Sequence, residues 1–280
     1  MAVNSSQRHT HEWSLLVLSM AIVAGIFYPL SIWFSTQAHE SSWAPSYDRA
    51  SRLLIGPEQI ACYCCFLWAA LILVTRYLET RRQRRAFGLD LLPTEEGARI
   101  LPEDARPLGR RVEELTSHGG PYILGNLIRL GLGKYAISRS SQDVSETVRM
   151  QAEVDLGRMA TGMAIVHYLA WAIPALGFLG TVRGLAMSLS MAGRVDEPLE
   201  AFLHQATQHL NTAFDCTLVA LALSLPVMFL IHAVQREEEG LVIDCQQYCL
   251  ENLVNRLYDP EALPLERPAA PAVARARISR

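Results

Sequence analysis

Four apolar runs constrain this chain more than any other feature of its sequence: residues 13–34, 60–77, 165–191 and 213–234. Each is about 18 residues or longer, close to what ~30 Å of hydrocarbon demands of a helix. In lipid a segment must satisfy its own backbone polar groups, so runs of this length restrict the fold to a bundle of spanning helices. Charge content agrees: 19% of the 280 residues are charged, against roughly 25% in a soluble domain. The net charge of −3 supplies no basic field for nucleic acid. The first run is longer than a signal-peptide core and has no small-residue cleavage site after it, so it reads as a retained anchor.

Orientation follows the Lys and Arg of the loops. Residues 79–158 carry thirteen, among them Arg81, Arg82, Arg84 and Arg85, whereas the segments 37–58 and 192–210 hold only Arg49, Arg52 and Arg194. The expected organisation is a cytoplasmic N-terminus (1–12), a first span (13–36), a periplasmic loop (37–58) and a second span (59–78). A cytoplasmic helical domain (79–158), a third span (159–191), a second periplasmic loop (192–210), a fourth span (211–234), a cytoplasmic helix (235–258) and a disordered tail (259–280) follow. The fold class is an all-α membrane protein whose third and fourth spanning helices run on into the cytoplasm, with both termini inside.

Within the central segment, residues 101–118, 122–137 and 141–163 read as helices, punctuated by Gly119, Gly120 and Pro121. Ser141 is the expected start of the third, and no strong breaker except Pro174 lies between it and Met191. One unbroken helix over 141–191 is therefore expected. Residues 199–257 read likewise, interrupted only by Pro226.

Polar residues inside the last two runs are the candidates for function, because a polar group in hydrocarbon is costly and turns toward a bundle interior, a cavity or an ion path. The third run holds Thr181 among Gly177, Gly180 and Gly184, a spacing that lets another helix approach closely. Pore lining and helix packing alone both remain open there. Arg183, near the outer end, can snorkel to headgroups or face a partner's acid, and snorkelling is the expected reading. The fourth run holds Thr217, which can bond back to its own helix, and Asp215, which is either a solvated boundary residue or an acid at the mouth of a cation path. His167 and His232 read as boundary anchors, and no ligand set forms around His204 or His209. Of the six cysteines, Cys62, Cys64, Cys65 and Cys216 sit in apolar runs, and Cys245 and Cys249 lie one turn apart. All read as small packing residues. There is no nucleotide loop, zinc signature or nucleophile elbow, so neither a metal nor an enzymatic activity is expected.

IPALGFLGTVRGL (173–185) followed by AFDCTLVALALSLPVMFL (213–230) resembles the MotA/TolQ/ExbB proton channel family. Pro174, Gly177, Gly180, Thr181, Val182 and Gly184 carry the first pattern, Thr217 and Pro226 the second. The resemblance implies that Thr181 and Thr217 line a central pore. It implies a homopentamer around a dimer of single-span ExbD/TolR/MotB-like partners, embedded in the lipid of the bacterial inner membrane. The transported ion it implies is a proton, with sodium as the other choice. The four expected spans resemble the MotA branch, while the motif residues resemble ExbB and TolQ. That branch has a glutamate five residues before the second threonine, where this chain has Thr212; the nearby acid here is Asp215. The alternative to an ion-driven energiser is a non-conducting scaffold that anchors a complex through its cytoplasmic helices.

Overall fold

The computed structural model describes residues 5–40, 56–93, 99–117, 120–191 and 199–258. The expected loop residues 41–55 and 192–198 and the tail 259–280 lie outside them. Among the described residues the chain is helical, without strands: α1 (Ser5–Glu40), α2 (Pro57–Arg84), α3 (Ala105–Ser117), α4 (Ile123–Ser138), α5 (Ser141–Gly162), α6 (Ala164–Met191) and α7 (Leu199–Asn252), with short 3₁₀ turns at Arg85–Gly88 and Val254–Arg256. Four helical stretches are long and apolar enough to cross a membrane, with their apolar windows in α1, in α2, across α5 and α6, and in α7. Pro29, Pro174 and Pro226 stand inside α1, α6 and α7 without ending them, as spanning helices permit.

The chain divides into two compact units. The first comprises α1, α2, the last turns of α5, α6 and the part of α7 before Val242. Its core is a stripe from each of three helices: Cys62, Ala69, Ile72 and Leu73 of α2; Val166, Leu169, Ala170 and Ile173 of α6; Ala220, Val227, Ile231 and Val234 of α7. Spacings of three, four and seven place each set on one helix face. α1 joins through Leu15, packed at the edge of this core, and through Phe27, whose ring stacks on Tyr63 at 4.8 Å. The outward faces stay apolar. Trp171, Phe178 and Leu179 on α6 and Phe214, Leu225 and Phe229 on α7 are all exposed, a surface no water-soluble unit of this size would present.

The second unit holds residues 85–155 and the chain from Val242 onward. α4 is its centre: Leu124, Leu127, Ile128, Leu132 and Tyr135 are all buried. Gly131 leaves the notch into which Leu253, Val144 and Val148 pack. The C-terminal end is tied back by backbone bonds from Ile100 N–H to Arg256 O (2.9 Å) and Tyr258 N–H to Ile100 O (3.0 Å). The Tyr135 hydroxyl donates toward the Tyr258 carbonyl (2.7 Å) and the Ile100 carbonyl (3.2 Å). Cys245 and Cys249 are buried in this core, and burial pushes the Cys249 thiol up.

α5 starts at Ser141, as expected, and Ser140 caps it: its Oγ accepts from Asp143 N–H at 3.4 Å, the bond an N-cap hydroxyl makes. One local feature differs from the sequence expectations. The expected helix 141–191 is broken at Met163, between α5 and α6. Met163 N–H donates to Ala160 O, three residues back, at 3.0 Å. Arg76 of α2 directs Nη1 and Nη2 to Met159 O at 3.3 and 3.4 Å, the carbonyl that an unbroken helix would offer to Met163 N–H.

Candidate functional site

Each glycine of the α6 motif meets a small or short side chain on α7, in reversed order, so the two helices run antiparallel in close contact. A Cβ at Gly177 would collide with Ala220 Cβ; at Gly180 it would stand 2.7 Å from Cys216 Sγ; at Gly184, 2.6 Å from Ala213 Cβ and 2.9 Å from the His209 carbonyl. Ser188 Oγ adds a bond across the pair, donating to Ala206 O at 3.2 Å. Small residues at i, i+3 and i+7 are what let two helix backbones approach this closely.

The two threonines lie on this locked pair, both half-buried. Thr181 Oγ1 donates to Phe178 O at 2.6 Å on its own helix. Thr217 Oγ1 reaches two carbonyls, Ala213 O (3.3 Å) on its own helix and Gly177 O (3.4 Å) on α6. Thr217 therefore sits at the level of Gly177, and Thr181 is one turn away along α6. Hydroxyls whose protons go to backbone carbonyls keep their lone pairs for another donor. The single short bond fixes Thr181, while the two long bonds of Thr217 leave its hydroxyl able to rotate. Pro174 is half-buried and Pro226 is exposed.

Asp215 is 5% exposed, and no hydrogen bond or ion pair from the described residues reaches its carboxylate. A carboxylate with this little access to water is stabilised by any donor brought to it. Thr212, where the related branch has glutamate, turns its hydroxyl to Gln208 O at 3.0 Å.

Arg183 does not extend to a headgroup. Its Nη2 pairs with Glu58 Oε2 of α2 at 2.8 Å, and the Glu58 side chain is 10% exposed. The notch left by Gly180 admits this carboxylate: a Cβ there would lie 3.4 Å from Glu58 Cγ, and Cys216 Sγ is 4.0 Å from Glu58 Oε2. Sequence reasoning missed Glu58, which stands just before the second apolar run. The signal available was an unpaired arginine near the end of α6. It implied an acid at the same depth on another helix. At the other end of the spans, His167 Nδ1 lies 2.9 Å from Met163 O. Among the described residues no group of His, Cys, Asp and Glu could hold a metal ion.

Residues 122–247 match the model of the MotA/TolQ/ExbB proton channel family. The match takes in α4, α5, α6 and α7 as far as residue 247. No curated protein and no solved structure matches the chain.

Proposed function

From the family match of residues 122–247, we propose that this chain is the channel-forming subunit of an ion-driven energiser of the bacterial inner membrane. Protons pass along α6 and α7, with Thr181 and Thr217 on the path and Asp215 toward its outer mouth. Five copies surround a dimer of single-span ExbD/TolR/MotB-like partners, both chain termini are cytoplasmic, and ion flow is converted into mechanical work in the envelope. The observation that carries this reading is the pair of half-buried threonines on two helices held together by Gly177, Gly180 and Gly184. A hydroxyl both accepts and donates, so it can relay a proton without carrying charge itself. The close packing leaves no room for a larger side chain between the two helices.

The test is proton flux into vesicles holding this chain with a single-span ExbD/TolR/MotB-like partner. Thr181→Val with Thr217→Val keeps the shape and removes both hydroxyls. Flux is expected to fall at least tenfold, and flux equal to the unaltered chain would overturn the assignment of the path. Thr181→Ser with Thr217→Ser is expected to retain flux.

A further inference from the structure

A half-buried arginine joins three helices at the inner end of the spans. Arg76 of α2 contacts both oxygens of Glu238 on α7, at 3.0 and 2.9 Å, and the same guanidinium reaches the Met159 carbonyl of α5. The Arg76 and Glu238 side chains are 19% and 8% exposed. Gly162 makes the approach possible, because a Cβ there would collide with Arg76 Nη2. This contact coincides with the one interruption between α5 and α6. Met163 N–H turns to Ala160 O, while Val166 and His167 N–H both turn to Met163 O, at 3.1 Å each. α6 thus opens afresh at Ala164, and the acceptor for its Val166 and His167 N–H groups is Met163 O, outside the helix.

We propose that Arg76 is a positioning residue for α6: by occupying the Met159 carbonyl it holds the break at Met163, and so sets the placement of the helix that carries Thr181. Glu238 fixes the guanidinium in place, and Gly162 gives it room. A planar guanidinium can serve a carboxylate and a carbonyl together, which a single ammonium does less well. Burial pushes the Glu238 carboxyl above the usual carboxylate range, and Arg76 works against that push. Loss of Arg76 alone would therefore strand a buried acid, and the decisive variants avoid this.

The consequence for ion flow rests on the proposed function; the statement about the helix does not. The experiment uses the full-length chain. Amide hydrogen exchange at Ala164 and Ile165 reads the break directly, since a continuous helix would give both N–H groups carbonyl partners. Gly162→Ala keeps both charges and displaces the guanidinium; Arg76→Met with Glu238→Leu removes the pair without leaving a lone charge. Both are expected to slow exchange at these amides at least tenfold and to lower proton flux with the single-span partner. The charge swap Arg76→Glu with Glu238→Arg rebuilds an ion pair but offers Met159 no donor from α2, so it should behave like the neutral pair. Unchanged exchange in Gly162→Ala and in the neutral pair would overturn the proposal, as would slowed exchange with undiminished flux. Recovery of the break by the charge swap would also overturn it, because the ion pair alone would then suffice. Absence of flux from the unaltered chain with its partner would instead strike the channel reading, and the exchange measurement would still decide what Arg76 holds.

Discussion

At Gly184 a single added carbon would stand 2.6 Å from Ala213 Cβ and 2.9 Å from a backbone carbonyl, and a backbone oxygen cannot swing aside as a side chain can. Gly177 faces Ala220 just as closely. Gly133, on the exposed side of α4, has nothing within 4 Å of the same added atom. The three positions therefore predict opposite signs for one substitution. Gly177→Ala and Gly184→Ala are expected to destabilise by about 1–3 kcal/mol through overpacking. Gly133→Ala is expected to stabilise by up to about 1 kcal/mol, because alanine is the better helix former. Thermal unfolding of the three variants in one detergent checks this. Equal effects at all three positions would mean that the α6–α7 contact is looser than described. The glycines were legible in the sequence as a close-packing motif. The residues they face, Ala213, Cys216 and Ala220, repeat the same spacing of three and four, but no glycine marks them out within their apolar run.

At the scale of elements, the helices of the sequence reading are present, and what it missed came from other helices. The run 141–191 has no proline or glycine cluster at Met163 to announce a break. The contact that coincides with it comes from Arg76, which lies 83 positions earlier in the chain than Met159. Arg183 likewise reads as a snorkelling residue until α2 brings Glu58 beside it, 125 positions away. Propensity and periodicity describe one helix at a time, and both departures are contacts between helices. In the second unit the corresponding contact is the Tyr135 hydroxyl, which lies between the carbonyls of Ile100 and Tyr258. Removing it leaves buried polar groups short of a partner, at a cost of about 1–3 kcal/mol. Tyr135→Phe is expected to lower the unfolding temperature and to speed amide exchange at Ile100 and Tyr258. Amides of α6 should keep their exchange rates. If exchange at Ile100 and Tyr258 did not change, the hydroxyl would not be what ties the C-terminal end.

For the whole molecule, the argument is about surface. In the first unit each of α2, α6 and α7 buries one stripe against the others and leaves the remainder apolar and open, with Phe178 68%, Leu225 72% and Phe229 73% exposed. Lipid can cover such faces and so can a neighbouring copy, and the mass of the assembly separates the two. The proposed pentamer therefore predicts a protein mass of five chains, about 156 kDa from the 31.2 kDa subunit, in light scattering corrected for bound detergent. It also predicts that Asp215→Leu, which removes the buried charge, leaves that mass unchanged while proton flux with the single-span partner falls. A mass of one chain at every protein concentration would overturn the ring. A five-chain mass with full flux in Asp215→Leu would keep the ring and remove Asp215 from the path.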